Sequence, residues 1–264
     1  MEYKLIAVDM DGTLLNDASE ITKRTLHAIE EARKKGVLFS VSTGRPIQGI
    51  KKFNNLLKLK CPVIAYNGAM LADPNTDEVI FEKSLENKEA KKILEFGKIK
   101  NTAMCIWSNH KLYVNVLNER TQAYKSLHGV EPILTYDMEK LLENKITKIL
   151  WYDKIENISK WQEELLKEDF SKTMLCTSKP YFLEFFNSKV SKALTLERLA
   201  KLYNIKREEI IAVGDGYNDL SMIEYAGLGA AMENADERVK KRADYIAASN
   251  ENDGVSEVIE KFVL

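Results

Sequence analysis

The chain begins with a short polar lead and then an unbroken apolar run, Leu5-Ile6-Ala7-Val8. A run without polar alternation predicts a strand buried on both faces, as in a parallel sheet. Residues 19–35 follow with Ile21, Leu26, Ile29 and Ala32 at helical spacing among charged residues, and Gly36 is placed to end that helix. Val37-Leu38-Phe39-Ser40-Val41 predicts a second buried strand. Pro46 suits the first position of a helix over Ile47–Leu57. Val63-Ile64-Ala65-Tyr66 predicts a third strand, ending at Asn67-Gly68-Ala69. Strands separated by helices of this length imply βαβ units and one parallel sheet.

The middle of the chain changes character. Residues 86–98 have a helical pattern, and 102–107 and 111–117 predict paired strands around Ser108-Asn109-His110. A helix over 119–127, a strand over 146–152 and a helix over 158–167 follow. A second strand pair, 174–177 and 181–186, turns at Ser178-Lys179-Pro180. Hairpins mixed with helices predict an α+β module with an antiparallel sheet at 84–186. Strand and core packing accounts for most of its aromatics, Trp107, Tyr113, Tyr152, Tyr181 and Phe182, and which residues of the module would meet a ligand stays open. The first pattern then returns. Residues 191–203 are amphipathic through Leu194, Leu199 and Leu202, and Ile210-Ile211-Ala212-Val213 is another buried strand. A helix from Leu220 and short strands at 229–232 and 245–247 complete the chain. The expected fold class is α/β: a Rossmann-like parallel-sheet core of residues 1–83 and 187–264, interrupted by the inserted module.

Composition narrows the function classes. The 264 residues are 45% hydrophobic and 30% charged, ordinary values for a water-soluble fold. A net charge of −1 argues against a general nucleic-acid binder, which carries a marked basic excess. The basic clusters Arg33-Lys34-Lys35 and Arg238-Val239-Lys240-Lys241-Arg242 lie in helical stretches with acids nearby, as solvated faces do. Cys61, Cys105 and Cys176 give neither a disulfide framework nor a zinc spacing. His27, His110 and His128 are scattered. No apolar stretch reaches about 18 residues and no leader pattern opens the chain, so a cytoplasmic protein without membrane partners is expected.

The chemistry concentrates in four segments, each just after a predicted strand or at a helix start. In open α/β sheets such places converge at the carboxyl edge, where ligands bind. In Asp9-Met10-Asp11-Gly12-Thr13, two carboxylates stand at i and i+2 after a buried strand, pointing to one side of an extended chain. Anions held that close repel unless a cation or proton lies between them. A carboxylate there can attack phosphorus, a second can move protons, a magnesium ion can neutralise both, and Gly12 lets the backbone approach a phosphate. In Ser42-Thr43-Gly44-Arg45-Pro46, a hydroxyl and free amides at a helix start suit an anion, although a plain helix cap reads equally well. Arg45 can pair with a phosphate or with a core acid. Lys192 sits where the helix dipole disfavours a cation, which leaves a surface lysine and a role outside the helix both open. Gly214-Asp215-Gly216-Tyr217-Asn218-Asp219 nearly matches a dinucleotide fingerprint, but Asp215 and Asp219 would repel a pyrophosphate and suit a divalent cation.

Together these segments resemble the haloacid dehalogenase superfamily, and within it the Cof-type sugar-phosphatase-like branch. Asn67-Gly68-Ala69, Met232-Glu233-Asn234-Ala235 and Asn252-Asp253-Gly254-Val255 also look like this branch. The resemblance implies Asp9 as nucleophile and magnesium ligand. It implies Asp11 as general acid/base and as a metal ligand through its main-chain carbonyl. Thr43 and Lys192 would hold the phosphate, Asp215 would be a metal ligand, and Asn218 and Asp219 would support Lys192 and the metal shell. Gly12, Gly44, Arg45, Asn67, Gly68 and Asn218 complete the implied substrate-binding set, and Asp219 the metal set. The inserted module would be a cap domain. The implied activity is a magnesium-dependent phosphatase acting on a small phosphorylated metabolite, a sugar phosphate, as a monomer or weak homodimer.

Two positions depart from the branch: Ala193 stands where glycine is frequent, and Glu233 where glycine often precedes Asn-Ala. Neither touches an implied catalytic group. A phosphomutase of the same superfamily uses the same acids and stays open. A phospho-accepting signalling domain is disfavoured by Asp11, the insertion and the length. An ion-pump domain would need Lys after the nucleophile and Thr in place of Asp11.

Overall fold

The computed structural model describes residues 2–264, which divide into two compact units, residues 2–81 with 191–264, and residues 82–190. In chain order the first unit begins with β1 (Leu5–Val8), α1 (Lys23–Lys34), β2 (Leu38–Val41), α2 (Ile47–Leu57), β3 (Val63–Ala65) and β4 (Met70–Ala72). Strand β5 (Val79–Glu82) crosses the boundary. The second unit holds α3 (Asn87–Ile99), β6 (Ala103–Ser108), β7 (Lys111–Val114), α4 (Glu119–His128), β8 (Ile133–Leu134), β9 (Ile146–Tyr152), α5 (Ile155–Leu165), β10 (Thr173–Cys176) and β11 (Phe182–Asn187). The first unit resumes with α6 (Lys192–Leu202), β12 (Ile210–Gly214), α7 (Leu220–Tyr225), β13 (Leu228–Met232), α8 (Glu237–Lys240), β14 (Tyr245–Ala247) and α9 (Gly254–Phe262).

The first unit is built on a parallel sheet in the order β14-β13-β12-β1-β2. Every residue of β1 and β12 is buried, which is why both strands read as continuous apolar runs. Leu5, Ala7, Ile210 and Ala212 face one way and pack on Leu196 and Leu199 of α6 and Met222 of α7. Helices α1 and α9 pack on each other and against the same sheet. Thr22 caps α1 by accepting from the Thr25 amide.

The third strand departs from expectation. Strand β3 opens an antiparallel three-stranded sheet with β4 and β5, and joins the chain just beyond β2 through the parallel Ser42–Ile64 bridge rather than a full parallel ladder. The apolar run Val63-Ile64-Ala65 was a correct strand signal, but such a run does not specify which sheet it joins. Pro46 is the N-cap of α2, one residue before the position expected for it.

The second unit is a six-stranded sheet, β10-β11-β9-β6-β7-β8, antiparallel except for the β7–β8 pair. One face packs on α3 and α5 through Ile93, Leu94, Ile158 and Trp161. Trp151 anchors that layer, edge-on to Trp161 at 6.0 Å and tilted on Phe185 at 4.9 Å. Alternate residues face the other way, among them the buried pair Lys148 Nζ–Glu184 Oε1 at 2.7 Å. Among the described residues no helix is long and apolar enough to cross a membrane.

Candidate active site

The parallel sheet winds outward in two directions from the seam between β1 and β12, since β1 leads to β2 on one side and β12 to β13 on the other. Loops leaving such a seam diverge and open a crevice at the strand carboxyl ends. Asp9 follows β1 and Asp215 follows β12, so the topology alone brings together acids about two hundred residues apart in sequence.

Lys192 is the first helical residue of α6, behind the N-cap Ser191, whose hydroxyl accepts from the Leu194 amide. Its side chain is 0% exposed. An ammonium without water must find every partner in the protein. Nζ donates to Asp9 Oδ1 at 2.5 Å, to the Ser42 carbonyl oxygen at 2.7 Å, and to Asp219 Oδ1. All three hydrogens are engaged. The conflict with the helix dipole is thus outweighed by two carboxylates. Asp219 is itself locked, Oδ2 accepting from the amides of Asp215 at 3.0 Å and Gly216 at 2.9 Å. Asp215 Oδ1 accepts from Thr13 Oγ1 at 2.6 Å.

Carboxylate oxygens of Asp9, Asp215 and Asp219 all lie within 4.8 Å of one another. Three acids face one lysine, and the imbalance appears in the proton affinities of Asp9 and Asp215. Burial pushes the Asp9 carboxyl well above its ordinary value, Asp219 and Asp215 add to that, and Lys192 only partly opposes it. Asp215 is pushed up to about 6, by burial first and Asp219 second, with the Thr13 hydroxyl working against the rise. Burial works to lower the Lys192 value, but Asp219 and Asp9 override it and hold the ammonium charged. A compact all-oxygen donor set with excess negative charge fits a hard divalent cation.

Gly12 lies against the Asp215 carboxylate. Its φ is +79°, and a Cβ there would stand 2.6 Å from Asp215 Oδ2. Its carbonyl is fixed by the Asn234 amide at 2.8 Å, a contact that ties the Asn-Ala segment to the loop after β1. Neither Thr13 nor Asn234 was singled out as a site residue from sequence, because the partner of each lies more than two hundred positions away.

The remaining candidates fall into a bracing group and an outer pair. Thr43 is buried, its Oγ1 accepting from the Arg45 amide at 3.1 Å, so its own hydrogen stays available to an anion. Tyr66 and Asn67 both have positive φ, +50° and +55°, an unusual pair for non-glycine residues. The turn persists because it is clamped: Tyr66 N donates to the Arg45 carbonyl and Asn67 N to the Thr43 carbonyl, each at 3.0 Å. The Gly68 carbonyl accepts from Thr195 Oγ1 at 2.6 Å, joining the turn to α6. Asn218 Nδ2 donates to Asn67 Oδ1 at 3.0 Å. The hydrogen bonds of Lys192 Nζ go to Asp9, Ser42 and Asp219, while Asn218 meets Asn67. Asn67, 4% exposed, braces the Gly44 and Asn218 loops from behind. Arg45 forks onto Asp11, an acid outside the core whose side chain is 59% exposed. Asp11 thus stands outside the carboxylate cluster, although it is two residues from Asp9.

The description "haloacid dehalogenase-like hydrolase" belongs to the family model that matches residues 6–259. The chain belongs to this family. Phosphatase is the activity its relatives support. The chain is 35% identical over 268 residues to the protein YxeH of Bacillus subtilis (strain 168), covering 99% of each chain. It is 32% identical over 264 residues to a second protein of that organism, the 5-amino-6-(5-phospho-D-ribitylamino)uracil phosphatase YcsE, covering 100% of this chain and 97% of the other. A haloacid dehalogenase-like hydrolase of Bacteroides thetaiotaomicron, solved by crystallography, superposes with a TM-score of 0.90 at 33% identity, over 98% of this chain and 99% of that one.

Proposed function

We propose that the protein is a magnesium-dependent phosphatase that hydrolyses a small phosphorylated metabolite, a sugar or sugar-alcohol phosphate, through an aspartyl-phosphate on Asp9. One observation carries this reading: the fully buried Lys192 bridging Asp9 and Asp219 beside Asp215, at the carboxyl edge of a parallel sheet. A fixed cation and a compact acid cluster are what a phosphoryl group and a metal need together. Asp9, Asp215 and the Asp11 main-chain carbonyl would hold the ion, with Asp219 beside them and largely committed to Lys192 and two amides. Bound there, magnesium would supply positive charge against the nucleophile and the phosphate oxygens.

The chain's own residues divide the work. Lys192 draws charge from Asp9 and orients its carboxylate through Oδ1. Asp9 attacks phosphorus; the Asp9 O–P bond forms as the ester O–P bond breaks, and Asp11 delivers a proton to the leaving oxygen. Water then attacks phosphorus, Asp11 takes back its proton, and Asp9 is regenerated with release of phosphate. Thr43 donates its hydroxyl hydrogen to the phosphoryl group, and Gly12 leaves room for it. The unit Glu82–Val190 serves as the cap domain of this reading. The substrate class is supported by the ribityl phosphate ester in the name of the relative YcsE.

The test is a panel of sugar phosphates, sugar-alcohol phosphates including 5-amino-6-(5-phospho-D-ribitylamino)uracil, and nucleotides, with magnesium and then with chelator. Phosphate release that needs the metal and is lost in Asp9→Asn is expected. Release without metal, or undiminished in Asp9→Asn, contradicts the mechanism. Interconversion of sugar phosphates without free phosphate indicates a mutase.

A further inference from the structure

Strand β2 is the last strand of the parallel sheet on its side, and the segment that leads into β3 runs beside its open edge. The two meet at the Ser42–Ile64 bridge, where Thr43 N donates to the Ile64 carbonyl at 2.8 Å. Continued toward the amino ends, a parallel ladder would soon need a donor from residue 62, which is Pro62 and has no N–H. Side chains take over there. Ser40 Oγ donates to the Pro62 carbonyl at 2.8 Å, and Cys61 Sγ to the Phe39 carbonyl at 3.1 Å. At the amino end of β2 the two segments leave a cavity of about 150 Å³, lined by Val37, Phe39, Leu59 and Cys61 together with Arg33 and Lys60.

The charge of this lining is one-sided. Lys34 pairs with Glu31 on the solvated face of α1, but Arg33 turns to the C-terminal end of α2, where its Nη1 donates to the carbonyls of Leu57 at 2.6 Å and Lys58 at 2.8 Å. Those bonds anchor one nitrogen of the guanidinium. Nε and Nη2, the side edge of the fork, meet no acceptor among the described residues and are not buried. None of the lining residues is an acid. Asp73, whose charge reaches Cys61, spends Oδ1 on the amides of Asn75 and Thr76. Burial pushes the Cys61 thiol up to about 12, so the floor carries no negative charge.

A cavity of this size takes one six-membered ring or a short branched chain. The open edge of a guanidinium fork matches a carboxylate, and an apolar body suits Val37, Phe39 and Leu59. We propose that this cavity is a second ligand site, at the opposite end of β2 from Ser42 and Thr43, and that it takes a small apolar monocarboxylate. Arg33 holds the carboxylate, Lys60 adds positive charge at the rim, and the ring or chain fills the gap that Pro62 leaves between the two segments.

The experiment titrates benzoate into the full chain, followed by calorimetry and by the methyl resonances of Val37 and Leu59. Binding with a Kd on the order of 1 mM or tighter is expected, with shifts at both methyl groups. Benzyl alcohol has the ring without the charge and should bind about tenfold more weakly or worse. Arg33→Met should weaken benzoate by about tenfold. Lys60→Met changes an exposed side chain and should weaken it about twofold or more, which keeps the proposal decidable if Arg33→Met does not fold. Inorganic phosphate with magnesium, which under the reading above occupies the acid cluster, should leave benzoate affinity unchanged. No shift at Val37 and Leu59 at about ten times that concentration, equal affinity for benzyl alcohol, or unchanged affinity in the folded variants would each overturn the proposal. Displacement of benzoate by phosphate with magnesium would place it at the acid cluster and overturn the proposal as well, leaving the hydrolytic reading untouched.

Discussion

Replacing Lys192 with methionine tests the electrostatic account of the site. Methionine keeps most of the buried stem but removes the ammonium from between Asp9, Asp219 and the Ser42 carbonyl. Three acids within 4.8 Å then have no internal cation. Removing one partner of a buried ion pair costs about 3–5 kcal/mol. That is a large share of the roughly 5–15 kcal/mol by which a domain is stable. The loss should have a chemical signature. Asp9 and Asp215 already hold protons more tightly than free aspartate does. A carboxyl whose folded value is raised above its unfolded value favours the folded state at low pH, and that contribution is lost as pH rises. Without Lys192 the rise grows, so the variant should recover stability relative to the unmodified protein as pH falls from about 7.5 toward 5.5. A divalent cation should narrow the gap as well, by binding the variant's bare acid cluster. Urea unfolding at both pH values, with chelator and with magnesium, gives all four quantities. A loss under about 1 kcal/mol in chelator at pH 7.5, or a loss unchanged by acid and by metal, would refute the reasoning and reduce Lys192 to a packing residue.

Other outcomes follow from the same geometry. Gly12→Ala places a Cβ 2.6 Å from Asp215 Oδ2 at a φ of +79°, and should weaken magnesium binding measured calorimetrically far more than it lowers thermal stability; unchanged affinity counts against Asp215 as a ligand. Gly68→Ala, at a φ of +97° and with its new Cβ against the Ser191 carbonyl oxygen, should cost about 2 kcal/mol or more in urea unfolding, and a neutral effect would show that the turn relaxes freely. Because Asp9 and Asp215 are both pushed up, Asp215 to about 6, and both would hold the ion, apparent magnesium affinity should fall as pH drops from 7.5 and by about tenfold or more per unit below about 6, a trend that a flat titration from pH 5 to 7.5 would rule out. In the second unit, Phe185→Ala opens a hole beside Trp151 and should cost about 3–5 kcal/mol by chemical denaturation, a loss under about 1 kcal/mol meaning that the layer repacks.

Much of the core was legible because local pattern and local structure agree. Helix α2 spans Ile47–Leu57 and β9 spans Ile146–Tyr152, as their periodicity and burial predict. Other ends moved by one to four residues, as with α1, which starts at Lys23 because Thr22 supplies the cap. What the pattern did not carry was partnership. The run at β3 cannot tell a parallel neighbour from an antiparallel hairpin, and β4, only three residues long, has too few positions to show a period. Helix α9, amphipathic through Val255, Val258 and Ile259, begins inside the segment Asn252-Asp253-Gly254, whose turn-forming residues mask its start. The acid cluster shows the same limit. Clustered Asp9, Asp11, Asp215 and Asp219 were visible as acids, but only the seam between β1 and β12 decides that Asp219 faces Lys192 while Asp11 turns to Arg45. Asn67 and Asn218 hold each other, and no local signal points to that pairing.

The claim on which the whole account turns is that Asp9 becomes covalently phosphorylated. Rapid mixing with a turned-over phosphate ester and magnesium, acid quenching, and peptide mapping by mass spectrometry read this directly. The account predicts one phosphoryl group on Asp9, formed and lost at rates compatible with turnover, and none in Asp9→Asn. Turnover with no phosphoryl group on Asp9 at any quench time, or a phosphoryl group on another residue that survives in Asp9→Asn, would contradict it.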